Sequence, residues 1–299
     1  NFASVVASTS TTQYQQLNFQ YKYKPGFKVL LGTKFGYDNW DLYAEYTWYH
    51  TNTMTTRYTA PGLLVGGTSF SGPVLVSRAL PFGVGLANRV FNEITKTWKL
   101  KLDFIDLILA RSYYVGKKLI LRPGFGARAA YIRQHLTLNE ISHDAITVVS
   151  VFSLGGGRFF GDSILSWGYG LKGLLDVQYQ ITKGFRILSN AGFDLLYTRY
   201  NLKQNFDALN LPGFLVTSIY KSKDRHDNFL RPHAELEFGF GYGDCFSNGR
   251  WYVDLEAAYG FQVFWDQNMT LTANFPQFNS LPSANLFLHG ARFTARFDF

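Results

Sequence analysis

Apolar and polar residues alternate along most of the chain, and the alternation comes in blocks. Leu17, Phe19, Tyr21 and Tyr23 alternate with Asn18, Gln20, Lys22 and Lys24. Further blocks of the same kind begin at Phe27, Trp40, Trp98, Leu119, Trp167, Phe185, Leu230, Trp251 and Phe287. The last runs to the final residue, with Phe287, His289, Ala291, Phe293, Ala295, Phe297 and Phe299 on one face and Leu288, Gly290, Arg292, Thr294, Arg296 and Asp298 on the other. A period of two means β-strands with one greasy and one polar face. One block departs from the rule. After Leu100, Leu102 and Phe104 the phase slips near Asp106, and a bulge is expected there.

Turn residues separate the blocks: Pro25-Gly26, Asp38-Asn39, Gly116-Lys117-Lys118, Thr182-Lys183-Gly184 and the stretch 244–249. Longer connections fall at about 51–93, 135–163, 201–227 and 266–282. Read backwards from Phe299, long and short connections alternate, with only Pro25-Gly26 out of step. Transmembrane barrels have that arrangement, with long outer loops and short periplasmic turns. The expectation is a single all-β domain over 1–299: a transmembrane antiparallel up-and-down β-barrel of about ten strands, with 1–12 as a periplasmic N-terminal segment. Two segments inside the long connections, 145–154 and 214–220, could form a further hairpin and raise the count to twelve.

Composition separates this reading from other membrane folds. The 299 residues include 28 Phe, 19 Tyr and 6 Trp, yet the mean hydropathy is −0.08. Helical spans would need apolar runs of about 20 residues, and the chain has none. A barrel places its apolar residues at alternate positions, so its average looks neutral. Trp40, Trp48, Trp98, Trp167, Trp251 and Trp265 all fall at or near strand ends, which suits an indole ring in the headgroup zone. His289 falls on the lipid face, as a residue in a subunit contact or near an interface would.

The opposite face is charged. Its expected pore-lining residues are Lys22, Lys34, Glu45, Lys101, Arg122, Arg128, Lys172, Arg186, Asp194, Arg231, Glu235, Glu237, Asp254, Glu256, Arg292 and Arg296. Charges in a dry interior need partners; otherwise they need water. Two readings follow. A water-filled lumen with acidic strands facing basic ones makes a porin for ions and small hydrophilic solutes. Glu235 and Glu256 paired directly with Arg292 would instead plug the lumen, leaving a surface barrel for adhesion or envelope structure.

The segment 98–134 resembles the major-outer-membrane-protein-like porins of Legionella and of chlamydia-related bacteria. The likeness rests on Trp98, Asp106, Arg111-Ser112-Tyr113-Tyr114, Leu121-Arg122-Pro123, Gly126, Arg128 and Gln134. The strand with Gly168-Tyr169-Gly170 and the terminal aromatic fit it as well. The resemblance implies an outer-membrane β-barrel that conducts small solutes and is a major surface component. The cysteine-rich pattern of the chlamydial protein is absent, so disulfide cross-linking into an envelope network is not expected. Phe297 and Phe299 resemble the signal read by the barrel-assembly machinery. Expected partners are that machinery, outer-membrane lipid and lipopolysaccharide; a homo-oligomer is compatible.

Other chemistry is poorly supported. Gly67-Thr68-Ser69-Phe70-Ser71 lacks the last Gly of a nucleophile elbow. The cluster Asp224-Arg225-His226-Asp227 offers an Asp–His pair to an outer-membrane hydrolase, a distant alternative. His233 beside Glu235 reads as a lumen hydrogen bond. Gly155-Gly156-Gly157 lacks the Lys-Ser/Thr of a phosphate loop. No spacing suggests a metal, and no cofactor is expected. The net charge of +8 is spread along strands rather than gathered into a nucleic-acid patch. Asn1 opens no basic-then-apolar segment, so the expectation is an outer-membrane protein after loss of its signal peptide. Cys245, the single cysteine, has no internal disulfide partner.

Overall fold

A computed structural model describes residues 4–7, 15–16, 22–36, 38–59, 63–65, 69–71, 74–77, 89–91, 93–142, 146–148, 151–153, 156–208, 219–246, 251–269 and 283–298. Among the described residues every regular element is a strand. The main sheet is antiparallel and holds 11 strands. They are β1 (Phe27–Lys34), β2 (Trp40–His50), β3 (Met54–Thr59), β4 (Glu93–Arg111), β5 (Tyr113–Val115) and β6 (Leu119–Ser142). β7 (Gly156–Gln180), β8 (Phe185–Ala208), β9 (Ile219–Phe246), β10 (Trp251–Met269) and β11 (Ser283–Asp298) follow. Nine run side by side in the order β11-β10-β9-β8-β7-β6-β4-β2-β1, while β3 pairs with β4 and β5 with β6. β3 continues the line of β2 past Thr51, whose N–H donates to the Leu100 carbonyl at 2.8 Å.

The short turns form as their residues dictate. Asp38 and Asn39 both have positive φ, 62° and 54°, the geometry of a tight hairpin turn that suits Asp and Asn. Gly116 and Gly184 supply positive φ in the next two turns. These turns lie at one end of the sheet.

The strands are longer than the alternation suggests. β6 pairs with β7 from Leu119↔Tyr179 to Ser142↔Gly156, so pairing enters the span expected as the 135–163 loop. β8 and β9 likewise pair as far as Ala208↔Ile219. β9 has 28 residues, while about 9–11 cross a bilayer. In the upper parts of these strands outward positions such as Arg133, His135, Asn139, Arg199, Asn201 and Lys203 are polar, so the apolar alternation fades. Of the expected first strand, Lys22, Tyr23 and Lys24 are described and are not in a strand, while 17–21 lie outside the described residues. Within 145–154, Ile146–Val148 pairs antiparallel with Val151–Ser153 as a small hairpin separate from the main sheet, so it adds no strand to it; of 214–220 only Ile219 and Tyr220 are described, at the start of β9.

The sheet is rolled. Phe104 on β4 and Phe264 on β10 are five strands apart, which in a flat sheet means roughly 24 Å. Their ring centroids are 5.7 Å apart. Gln134 on β6 donates to Asn268 on β10 at 2.8 Å. Ladder pairing stops at β1 and β11. Tyr23, just before β1, reaches the far edge: its hydroxyl is 3.2 Å from that of Tyr259 on β10. It also meets the His289 ring of β11 edge-on at 5.7 Å.

The convex face carries an uncovered apolar band. Leu31, Leu171 and Phe293 are 80%, 78% and 81% exposed. A continuous band of this kind on a monomer marks contact with lipid or protein. His289 lies on this face, hydrogen-bonded to the Tyr259 hydroxyl at 2.7 Å.

β4 corrects one expectation. Its ladder with β6 runs unbroken from Glu93↔Ile141 to Ala110↔Gly124, so there is no bulge at Asp106. Leu100, Leu102 and Phe104 point inward and are buried, leaving Lys99, Lys101 and Asp103 outward. The register is constant; the surroundings invert. Above the lipid band the outside is wet and the inside is packed.

Candidate functional site

The inward charges converge on Arg128 of β6. Its Nε donates to Asp106 Oδ1 at 2.6 Å and its Nη2 to Asp106 Oδ2 at 2.5 Å. Nη1 donates to Asp194 Oδ2 at 2.8 Å, and Nη2 lies 3.5 Å from Glu235. The guanidinium also sits 4.7 Å from the Phe104 ring centre, a cation–π arrangement. Lys172 of β7 reaches Asp106 at 2.8 Å and pairs closely with Glu235. His233 Nδ1 is 2.7 Å from Asp194 Oδ2, so an Nδ1–H donates there. The imidazole stacks on Phe264 at 4.0 Å. Side-chain exposure is 1% for Arg128, 1% for Asp106 and 0% for Asp194.

The strands put these groups together by alternation alone. Asp106 and Arg128 are direct cross-strand partners. Lys172 faces Asp194, and Asp194 faces His233 in the same way. Signs therefore interleave around the wall: acid on β4, base on β6 and β7, acid on β8 and β9. The expected acidic wall opposite a basic wall is not found. Arg128, Asp106, Asp194 and Lys172 each have a counter-ion, which a buried charge needs to offset lost hydration, although Asp194 Oδ1 and His233 Nε2 are buried without a hydrogen-bond partner among the described residues.

Towards the short-turn end most of the pairs are wetter, Arg186 with Asp254 excepted. Arg122 donates to Asp41 at 3.0 and 2.7 Å and to Asp176 at 2.6 Å, over the Tyr43 ring at 4.8 Å. Arg186 bridges Asp254 at 2.5 Å and Glu256 at 2.8 Å. Arg292 reaches Glu237 at 2.8 Å and Glu256 at 3.6 Å. Lys28 pairs with Glu45 at 3.2 Å. Directly beyond Arg128, Leu100, Leu102, Phe104, Ile132, Leu196, Phe264 and Leu286 form one buried apolar cluster, and higher still buried polar groups return at Lys96, Gln134, Glu140 and Gln267.

Most sequence-derived interior residues lie in this network: Glu45, Arg122, Arg128, Lys172, Arg186, Asp194, Glu235, Glu237, Asp254, Glu256 and Arg292. Glu235 pairs with Lys172 and Arg128 rather than with Arg292. Arg231 also points inward but packs higher, 4.5 Å from the Phe229 ring centre and 3.6 Å from Asp266. Lys101 is a correction, since it faces outward on β4. Lys22 and Lys34 are exposed, one before β1 and one at its end, and Arg296 is exposed on β11. The sequence reading missed Asp106 because a phase slip was assumed there. The signal was available: even positions from Leu100 to Ala110 share one face without a break.

The tryptophans divide. Trp167 is exposed on the outer face, stacked on Tyr169 at 6.5 Å. Trp48 faces out and stacks on Phe27 at 5.2 Å. Trp40, near Arg111, and the exposed Trp251 stand at the short-turn end, while Trp265 sits at a register shift in β10. Trp98 departs from expectation: it packs against the interior cluster and its Nε1–H donates to Gln134 at 3.2 Å. Phe297 is exposed on the outer face; Phe299 lies outside the described residues.

The hydrolase alternative has no assembled pair here. Arg225 salt-bridges Asp227 at 2.5 Å, while His226, on the other face of β9, bonds Asn201 at 2.6 Å. The side chains of Asp224 and of the segment 67–71 lie outside the described residues.

Residues 2–299 match the family model described as Legionella pneumophila major outer membrane protein precursor. Neither a curated protein nor a solved structure matches the chain.

Proposed function

The chain belongs to the Legionella major outer membrane protein family, and from that premise we propose that it is a closed, porin-like outer-membrane barrel. Ions and small hydrophilic solutes cross it passively through a narrow constriction at Arg128. One observation carries this reading: the inward ion pairs between the short turns and Arg128 are mostly partly wet, with Arg186–Asp254 the buried exception, and the network is dry at Arg128. The Arg122 side chain, near the short turns, is 23% exposed, whereas Arg128 is buried. A barrel of roughly this strand number has an interior that side chains nearly fill, so conductance is expected to be small. Assembly through the barrel-assembly machinery, using Phe297 and Phe299, belongs to the same proposal.

Planar-bilayer recording of the purified, folded protein tests it. Small, steady current steps are expected, and Arg128→Ala combined with Asp106→Ala should enlarge them. One feature favours a second reading, a sealed surface barrel: the apolar layer around Phe104 and Phe264 lies directly beyond the Arg128 network. Silence from folded protein, in wild type and double variant alike, would favour that reading and remove the first.

A further inference from the structure

The outer wall over β4, β6 and β7 has two parts, stacked one above the other. The lower is an apolar groove of about 570 Å³. Ala127 and Ala129 leave it shallow-floored between Ile105 and Leu107 on one side and Tyr169 and Leu171 on the other. The upper part is basic. Going up β6 from Ala129, alternate outward residues are Tyr131, Arg133 and His135, and their β4 partners are Asp103, Lys101 and Lys99. Arg133 therefore stands about 14 Å above Ala129, with the aromatic row of Trp48, Tyr131 and Trp167 between.

Asp103, the carboxylate on the same face of β4, offsets only one of the three cations Lys99, Lys101 and Arg133, so the patch stays net positive. Asp103 is engaged by the Tyr46 hydroxyl at 2.8 Å and by His50 at 2.9 Å. Arg133 lies over the Tyr131 ring, 5.3 Å from its centre, and is held by that hydroxyl. His135 stands above the aromatic row, and burial together with Arg133, Lys99 and Lys101 pushes its imidazole below the ordinary value. Cations so gathered select a multiply charged anion. Guanidinium and ammonium groups at an interface suit phosphate, and the groove beneath suits an acyl chain.

We propose that this wall binds one phosphorylated glycolipid of the outer leaflet, its phosphate held by Lys101 and Arg133 and an acyl chain lying over Ala127 and Ala129. The inference rests on the outer-membrane reading, with the long connections placed outside. It commits to the glycolipid rather than a phospholipid because the patch extends a further row, to the cation Lys99 and the hydrogen-bonding imidazole of His135. That is roughly 7 Å beyond Lys101 and Arg133, the reach of a sugar headgroup.

Native mass spectrometry of the full chain in detergent tests it, with diphosphorylated lipid A, dephosphorylated lipid A and phosphatidylglycerol as probes. Wild type should retain one diphosphorylated lipid A and hold the dephosphorylated form roughly tenfold more weakly. The double variant K101Q with R133Q should lose the same preference, and A129W should weaken all acyl ligands by filling the groove. Equal retention of both lipid A forms by wild type overturns the site, and equal retention of phosphatidylglycerol overturns the glycolipid assignment. The compact, heat-modifiable band on unboiled gels reports folding separately. A folded protein without the lipid preference sinks this site alone, whereas loss of outer-membrane fractionation sinks the reading beneath it.

Discussion

Arg128 and Asp106 face each other across two neighbouring strands and share two hydrogen bonds, at 2.6 and 2.5 Å, with both side chains shut away from water. Asp106→Asn removes the charge but keeps the shape, leaving Arg128 and Lys172 short of a counter-ion. The expected loss is on the order of 3 kcal/mol. Replacing both members, Arg128→Met with Asp106→Leu, should restore most of it, since Lys172 keeps Glu235 and Asp194 keeps His233. Urea unfolding in detergent micelles, followed by tryptophan fluorescence, measures both. Asp106→Asn with wild-type stability would mean that water reaches the pair.

Selectivity should follow the inward carboxylates. Glu45 offsets Lys28, and Glu256 offsets Arg186 and Arg292. Neutralising both, Glu45→Gln with Glu256→Gln, leaves those cations in excess and should move the reversal potential under a salt gradient towards anions. Lys101→Glu reverses a charge that faces outward and should leave it unmoved. A shift with Lys101→Glu would contradict the outward placement of that side chain.

Where lipid lies outside and charge inside, the alternation was sufficient to assign faces. Phe185, Ile187, Phe193 and Tyr197 of β8 point out, and Arg186 and Asp194 point in, as the pattern requires. The reading failed where that contrast fails. Lys99 and Lys101 are polar and outward because β4 rises into water there. Leu100 and Phe104 are apolar and inward because the interior is packed. The same loss of contrast made 135–142 and 156–163 look like loop. Ion-pair partners were legible only as far as register was: assuming a slip at Asp106 separated it from Arg128, its direct neighbour.

Two glycines should resist any side chain. A β-carbon built at Gly126 would run into the Leu107 carbonyl, and one at Gly170 into the Leu195 carbonyl. Neighbouring backbones cannot yield there without breaking the ladder. At Gly173 and Gly290 a β-carbon meets nothing within 4 Å. Gly126→Ala and Gly170→Ala are therefore expected to lower the yield of the heat-modifiable folded band sharply, with Gly173→Ala and Gly290→Ala at wild-type yield. Equal yields across the four would refute the close approach.

Trp98 and Trp167 look alike in sequence, since each opens an alternating block, but they lie on opposite sides of the wall. Trp167 stacks on Tyr169 in the exposed outer face. Trp98 is held inside by Gln134, which itself donates to Asn268 on the far wall. Bromine quenches indole fluorescence only at close range, so lipids brominated on their acyl chains separate the two placements. In single-tryptophan variants folded into such vesicles, Trp167 should be strongly quenched and Trp98 hardly at all. Gln134→Leu removes the acceptor of the Trp98 N–H; a buried donor left unpaired costs about 1–3 kcal/mol, and the Trp98 emission should shift while staying unquenched. Quenching of Trp98 equal to that of Trp167 would place Trp98 against lipid. It would also put Leu100, Leu102 and Phe104 on the outside of β4, since the register from Glu93 to Ala110 ties all four to one face.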